Sequence, residues 1–327
     1  MDNKTIYKKT IGFSIRRLLW DILSLIVLFG FAALGFFISE KAANNGLIGL
    51  AIGVIIGGII AFIVIRYASY SCKAAQIAMM TKGITEEKLP DDVIGEGKKI
   101  VKERFVTVAA YFAGTRIIKG IFNQLGNAIT TVGGSIGGDT GSAIGSTISS
   151  IIQVIVAYLC DCCLGWVFYR HKVNAGRATC EGAVLFFKHG KTLAKNLGRI
   201  FGMGIISFIV IAGIFGGITF GILQLFPDAM QALSDEIVKV MVEGGTAYEE
   251  IPEVFTNVMA LSGILAAIVG CIFWDFIHST FVRPFVLVGV LRNYINSGIK
   301  DMPKDEDFSQ LDSKSKKFQK LHAELKD

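Results

Sequence analysis

Ionisable and amide side chains occur inside long apolar stretches of the chain, where such groups are costly unless they pair or face water. Arg116, Lys119 and Asn123 recur at intervals of three and four residues, which places them on one face of a helix. Gln153 and Asp161 form a second polar stripe in the next apolar segment. If the two segments fold back on each other, Arg116 comes level with Asp161, and the two stripes match along their length.

Three interpretations of these polar stripes are open. In the first, Arg116 and Asp161 form an ion pair that lets the charged segment insert into lipid. In the second, the stripes line an aqueous path, and Lys119 is left to meet an anion. In the third, the segment that carries Arg116 and Lys119 lies flat in the membrane interface as an amphipathic helix.

Further acids and a histidine lie near the ends of other apolar segments. Asp275 and His278 are three residues apart and therefore share a helix face, a spacing that fits a proton relay in a transport pathway. Asp21, Asp161 and Asp275 form a ring that attracts cations if they lie at one depth. The simpler interpretation is that Asp21 and Asp275, each directly after a tryptophan, are solvated at headgroup depth.

Other chemistry is missing from the sequence. Cys160 and Cys163 share a helix face, but a structural zinc site needs four ligands and no histidine lies at the usual spacing. The chain contains no phosphate-binding loop, no dinucleotide fingerprint, and no HExxH or GxSxG motif. We therefore expect no enzyme activity, no metal and no cofactor.

The composition predicts an integral membrane protein. Hydrophobic residues make up 52% of the 327 residues and charged residues only 18%, and uncharged runs of about 20 residues can each cross a bilayer as a helix. The net charge of +6 is sorted by loop, which is not the pattern of a nucleic-acid-binding surface. We predict six spans, at about 18–38, 47–65, 105–130, 146–169, 200–226 and 254–275.

Loop charges decide whether the third segment crosses. Segment 170–199 carries seven basic side chains and one acid, whereas segment 227–253 carries one basic side chain and seven acids. Lys and Arg gather on the cytoplasmic side of a membrane. If 105–130 crosses despite Arg116 and Lys119, every basic loop lies inside. Trp20, Trp166 and Trp274 then all fall at cytoplasmic ends of spans.

Two glycine stripes mark close helix packing, because glycine at every fourth position leaves a flat strip on one helix face. Packing within the molecule is the simpler role of these stripes, and an oligomer or moving-helix interface is the alternative. A further glycine-rich segment, 131–145, is predicted as an outer turn, or else as a re-entrant helix that lines a pore. The stripes are Gly49, Gly53 and Gly57 in the second span, and Gly213, Gly217 and Gly221 in the fifth.

The predicted fold is therefore an all-α integral membrane protein, with six transmembrane helices arranged as three antiparallel hairpins in a single polytopic domain, 1–327. Helix extensions into the cytoplasm follow spans 2, 4 and 6. Both termini are cytoplasmic, as are loops 66–104 and 170–199 and the tail 296–327, whereas the acidic loop 227–253 lies outside. The missing transit peptide and the missing outer glycosylation sites favour a bacterial plasma membrane.

These features predict a membrane transporter or channel for a small solute or ion. One alternative is a non-transporting scaffold or accessory subunit that binds a partner protein or anionic lipid at the cytoplasmic face. Another is an oligomeric pore-forming protein that assembles through the glycine stripes. The expected partners are the lipid bilayer, anionic lipid, and a second copy or another membrane protein, but no nucleic acid.

Overall fold

The chain is all-helical in the computed structural model, which describes residues 1–43, 46–64, 68–105, 114–121, 123–124, 141–194 and 196–324. Helix accounts for 88% of the structure, and the described residues form no strand. Most of the predicted third span, 105–130, and most of the glycine-rich segment 131–145 lie outside the described residues.

The helices belong to two compact units. The first unit is Met1–Leu197 with Pro284–Asp327, and the second unit is Gly198–Arg283. Two π turns join consecutive helices: Phe208–Ala212 joins α8 to α9, and His278–Val282 joins α12 to α13. The helices are α1 Asn3–Ala43, α2 Gly46–Val64, α3 Tyr70–Thr85, α4 Val93–Arg104, α5 114–121, α6 Gly141–Tyr169, α7 Ala175–Ala194, α8 Leu197–Ser207, α9 Gly213–Leu223, α10 Pro227–Glu243, α11 Glu253–Thr256, α12 Val258–Ile277, α13 Arg283–Lys300, α14 Asp305–Asp312 and α15 Lys316–Ala323.

Three helices are long and apolar enough to cross a membrane, which supports the predicted membrane class. They are Asn3–Ala42, Gly198–Leu223 and Val258–Lys300. Two shorter apolar helices, Ile48–Ile63 and Gln153–Tyr169, coincide with the predicted second and fourth spans. Six spans and three hairpins are therefore not confirmed.

Helices α1 and α2 form a tight antiparallel pair. Gly49 lies beside Gly35, and Gly53 lies beside Phe31: a Cβ atom added at Gly53 would stand 2.1 Å from the Phe31 carbonyl oxygen. Gly57 approaches Phe31 in the same way. At the turn between the helices, the Glu40 carboxylate accepts a hydrogen bond of 2.6 Å from the Gly46 N–H. The structure thus places the first glycine stripe inside the molecule.

Helix α1 has two surroundings along its length: it begins at Asn3, and the predicted span 18–38 forms its later part. Ile6 and Phe13 are almost fully buried, whereas Ile26 and Phe29 are more than 60% exposed. The exposed stretch suits lipid, because large apolar side chains are rarely left in water as a continuous surface. The buried stretch belongs to a helical core, which we call the crown. The crown comprises residues 3–17, α3, α4, residues 156–169 of α6, α7, α13, α14 and α15.

Buried hydrogen bonds tie the crown helices together. Gln76 of α3 donates to the Thr10 carbonyl and to the Ser14 hydroxyl of α1. The Tyr294 hydroxyl of α13 donates to the Gly182 carbonyl of α7. Arg292, also on α13, donates to the side chain of Asn3 and to the Met1 carbonyl, at 2.6 Å each. The first helix of the chain is thereby joined to one of its last.

Helix α6 contains the predicted fourth span, 146–169, but its second half is largely buried within the first unit. From Val156 to Phe168 most of its apolar side chains are buried against other crown helices, and Trp166 is fully enclosed. A helix that is hydrophobic on all sides belongs either to a membrane or to a protein core. The burial of this half of α6 fits a core, and its crossing of a membrane is not confirmed. Hydropathy alone cannot separate these two environments.

The predicted helix extensions occur as helices but differ in detail. Helix α3 runs from Tyr70 to Thr85, and α13 runs from Arg283 to Lys300. After α6 the helix does not continue: a turn at 170–174 separates it from α7, which has a kink at His189. All three extensions, α3, α7 and α13, contribute to the crown.

The C-terminal helices fold back onto α7 and reach α5. Lys188 of α7 forms ion pairs with Asp301, at 2.9 Å, and with Asp307, at 3.0 Å. These contacts raise the pKa of Lys188, chiefly through its hydrogen bonds to the two carboxylates. Gln124, which is also helical, accepts hydrogen bonds from the Ser315 hydroxyl and the Lys317 N–H. The segment that ends at Gln124 therefore contacts the tail.

The second unit pairs α8 and α9 with α12. Gly216 and Gly270 provide the close approach, because a Cβ at Gly270 would lie 2.6 Å from the Ala212 carbonyl oxygen. Most of the acidic segment 227–253 forms α10, and the Ser234 hydroxyl of this helix donates a hydrogen bond to the Phe255 carbonyl. Asn257 begins α12 by accepting hydrogen bonds from two backbone N–H groups of its first turn.

We expect Gly53→Ala to destabilise the α1–α2 pair, because the added methyl group meets the Phe31 carbonyl in a close-packed contact. The expected loss is about 1–3 kcal/mol, measured as a lower midpoint of thermal unfolding in detergent. Gly30→Ala is the matched control, since a Cβ at Gly30 meets nothing within 4 Å. Equal midpoints for the two variants would contradict this packing.

Candidate functional sites

A buried ion pair joins α3 to α6. The Lys73 Nζ atom lies 2.6 Å from Oδ1 of Asp161, whose side chain is only 6% exposed. Helix spacing in the sequence had indicated Arg116 as the partner of Asp161 and had given no sign of Lys73, which lies 88 residues away along the chain. Because Lys73 supplies the positive charge, Asp161 serves to connect two crown helices in this structure.

The other members of the predicted polar path do not all share one environment. Arg116 and Lys119 are exposed on α5, and its opposite face buries Ile118 and Ile121. Asn123 is also exposed, and so is Gln153 in the first half of α6. Helix α5 therefore has one exposed cationic face and one buried apolar face. This pattern, together with the contact between Gln124 and the tail, fits an amphipathic helix better than a membrane span.

A second polar cluster lies between the apolar helices of the second unit. The Ser207 hydroxyl, at the end of α8, lies 2.9 Å from His278 Nδ1. Trp274 Nε1 donates to the same hydroxyl oxygen at 3.2 Å, and its ring packs against the imidazole at a centroid distance of 5.3 Å. His278 was predicted as a site residue, whereas Ser207 was missed. The signal that could have found Ser207 is a lone serine in an apolar run.

This hydrogen-bond arrangement can hold the imidazole with or without an extra proton. A serine hydroxyl has one proton and two acceptor positions, and the Trp274 N–H must occupy one of the acceptor positions. When His278 is charged, its Nδ1–H donates to Ser207 and the hydroxyl proton turns to the Gly204 carbonyl, 2.9 Å away. When His278 is neutral, the hydroxyl proton can turn to Nδ1. Rotation of one hydroxyl group connects these states.

Irregular helix geometry surrounds the cluster on both sides. The π turn Phe208–Ala212 begins directly after Ser207, and the π turn His278–Val282 begins at the histidine itself. Single π turns within α-helices are frequent at functional sites, because they re-aim side chains and disturb the regular backbone hydrogen bonds. Neither turn was predicted from the sequence.

Charged groups also flank this cluster. Asp275 and Arg283 are the charged residues of the described chain that act on the His278 imidazole. Asp275 lies one helical turn before the histidine, as the spacing predicted, although the hydrogen bond of the imidazole goes to Ser207. Asp21, the third acid considered above, lies in the first unit, 3.8 Å from Arg17.

The second glycine stripe has open space beside it within its unit. Cβ atoms added at Gly213, Gly217 and Gly221 would meet nothing within 4 Å. The helix contact is made instead by Gly216, on another side of the same helix. The predicted spacing was present, but a different glycine carries the packing.

The cysteine cluster is part of the crown interior. Cys162, Cys163 and Cys180 are fully buried, and Cys163 contacts the Thr179 carbonyl through its sulfur atom at 3.6 Å. Burial raises the pKa of Cys180 to about 12, so that its thiol stays protonated at neutral pH. These cysteines pack as small apolar side chains.

No protein-family model, curated protein or solved structure matches the chain. What the molecule does must therefore be inferred from its own chemistry.

We expect Lys73→Met to destabilise the crown, because it leaves the Asp161 carboxylate buried without this cation. Losing one partner of a buried ion pair costs about 3–5 kcal/mol, and the lower value is expected here because the Lys73 side chain is 26% exposed. The double variant Lys73→Met with Asp161→Asn should recover most of the loss. Unfolding midpoints in detergent measure both effects.

The matched control is Lys99→Met, which removes a lysine from an exposed pair with Glu103 at 3.9 Å. Exposed pairs of this kind contribute about 0–1 kcal/mol, so this variant should unfold close to wild type. A double variant no more stable than Lys73→Met alone would show that the charge pair is not the reason for the loss.

Proposed function

We propose that the chain is a membrane transport protein for a small solute or ion, and that His278 is the group that takes up and releases a proton during transport. The observation that carries this proposal is the Ser207–Trp274–His278 cluster. It lies on helices long and apolar enough to cross a membrane. Ionisable side chains at membrane depth mark ion and proton pathways more often than structural positions.

The local geometry supports this role. The hydroxyl group of Ser207 accommodates both protonation states of the imidazole, so that a proton can arrive or leave without repacking the helices. The two π turns beside the cluster weaken the regular helical backbone where movement would be needed. Histidine is the side chain whose charge changes near neutral pH.

We further propose that four apolar stretches cross the lipid: residues 18–38 of α1, then α2, α8 with α9, and α12. Their large apolar side chains are exposed, whereas those of α6 are buried from Val156 onward. Four spans give the same sidedness as the six predicted from the sequence. The basic segments 66–104 and 170–199 again lie in the cytoplasm, and the acidic segment 227–253 lies outside. A plasma membrane with both termini inside is the location that fits this arrangement.

A non-transporting scaffold or accessory subunit is the second candidate. The crown favours it, because a close-packed helical body attached to apolar helices offers a rigid cytoplasmic surface. Exposed basic side chains such as Arg116 and Lys119 on α5 suit an acidic partner protein or anionic lipid headgroups. On this proposal the crown, and not the second unit, carries the function.

Proton movement in proteoliposomes tests the transport proposal. The purified protein is reconstituted with a pH-sensitive dye inside the vesicles, and a dialysate of cell extract supplies small solutes outside. We expect wild type to change the internal pH and His278→Gln to reduce the rate to that of protein-free vesicles. Ser207→Ala should reduce the rate less, because the imidazole is kept but loses its hydroxyl partner.

Ser262→Ala is the matched control, since this serine lies on α12 but is buried with no hydrogen-bond partner. It should transport as wild type does. Wild-type rates equal to those of protein-free vesicles would contradict transport. If a stoichiometric partner also co-purifies with that inactive protein, the scaffold proposal is favoured.

Cysteine labelling in intact cells tests the four-crossing topology. In a background without native cysteines, we expect Lys119→Cys to react with a membrane-impermeant maleimide only after permeabilisation, because α5 belongs to the cytoplasmic face. Glu243→Cys, at the end of α10, should react from outside and serves as the control. A Lys119→Cys that stays unreactive after permeabilisation would indicate a buried span instead.

A further inference from the structure

A charged cleft opens on the crown, within the first unit. Its volume is about 530 Å³, which is within the range of small-molecule binding sites. Helices α3 and α4 form two of its walls, and the end of α6 with the following turn forms the third. Its lining includes Lys82, Glu86, Glu96, Glu103, Arg104 and Tyr169.

Part of the charge in the cleft is already neutralised. Lys82 Nζ lies 2.9 Å from a carboxylate oxygen of Glu96. This hydrogen bond raises the pKa of Lys82 and lowers that of Glu96, so both groups are charged at neutral pH. Arg104, Glu86 and Glu103 also line the open volume. Among the described residues, Glu103 forms only the exposed pair with Lys99, at 3.9 Å. The cleft therefore presents one cation and two acids to a ligand.

Arg104 is the most unusual of these groups. Its Nη1 atom donates to the carbonyl oxygens of His171 and Val173, at 3.3 and 2.6 Å. Its Nε and Nη2 atoms are buried and make no hydrogen bond to any residue that the structure describes. These two N–H groups form the side of a guanidinium that binds a carboxylate or phosphate with two parallel hydrogen bonds.

A comparison with Arg170 shows what Arg104 lacks. Arg170 donates two hydrogen bonds to the Glu181 carboxylate, and this contact raises the pKa of Arg170. Arg104 has only carbonyl partners, and burial lowers its pKa. An arginine desolvated in this way gains more from an anion than an exposed arginine does, because the cost of removing its water has already been met.

We propose that the cleft binds a small zwitterion with an apolar body, of the amino-acid class. Its oxyanion pairs with the guanidinium of Arg104, which lines the cleft. A rotation of this side chain on binding turns the buried Nε–H and Nη2–H groups toward the ligand, and the ammonium group faces Glu86 and Glu103. Tyr169, Phe168 and Ile100 supply an apolar wall for the rest of the ligand. This ligand site lies in the first unit, and it stands whether or not the protein transports.

The test measures binding to the full-length protein in detergent by isothermal titration calorimetry. Three matched probes are L-phenylalanine, phenethylamine without the carboxylate, and 3-phenylpropionate without the ammonium group. We expect saturable binding of L-phenylalanine, and binding at least about tenfold weaker for each of the other two, because each leaves a polar group of the site unpaired. No saturable binding of L-phenylalanine, or equal affinity for the three probes, would overturn the proposal.

Two variants assign the binding to this cleft. Arg104→Met should abolish it, whereas Lys102→Met, an exposed lysine of α4 that does not line the cleft, should bind as wild type does. Because Arg104 also holds the turn after α6, Glu103→Gln is a second variant at an exposed position. It should weaken L-phenylalanine binding but not that of 3-phenylpropionate. Wild-type affinity in both Arg104→Met and Glu103→Gln would exclude this cleft as the site.

Discussion

A helix that leaves lipid and enters a protein core keeps all its backbone hydrogen bonds internal, so that only its side chains need to change along the way. Helix α1 does this within 41 residues, about 60 Å at about 1.5 Å per residue. Its exposed apolar stretch and its buried stretch belong to one rigid rod. The buried part of α1 in the crown is therefore continuous with the exposed apolar part of the same helix.

The membrane class and most of the apolar helices could be predicted from sequence, because hydropathy over about 20 residues is a local property. The environment of an apolar helix could not. Leu164 and Val167 of α6 have the composition of a span, but their burial depends on residues far away in the chain. The loop charges could not show which apolar helices cross the membrane, because a chain with four spans and a chain with six spans place every basic loop on the same side.

For the candidate sites too, features local in sequence could be predicted, whereas contacts between distant residues could not. His278 was found because a histidine in an apolar run is conspicuous, and its distance from Asp275 is a local spacing. Its hydrogen-bond partner Ser207 is 71 residues away in the chain, and Lys73 is 88 residues from its partner Asp161. In the sequence Arg104 is one of several cations in the basic segment 66–104. Composition does not reveal that its Nε and Nη2 atoms are buried without a hydrogen bond to a described residue. Spacing identified faces of helices, whereas pairing between helices required the structure.

The hydrogen bonds from Arg292 to Met1 and Asn3 have a consequence for biosynthesis. The amino-terminal turn of α1 is synthesised before its partner on α13, which lies about 290 residues later in the chain. Contacts so distant in sequence form late in folding. Until α13 is made, Ile6 and Phe13 lack part of their final surroundings, so the nascent chain exposes apolar surface. Exposed apolar surface of this kind makes a folding intermediate prone to aggregation.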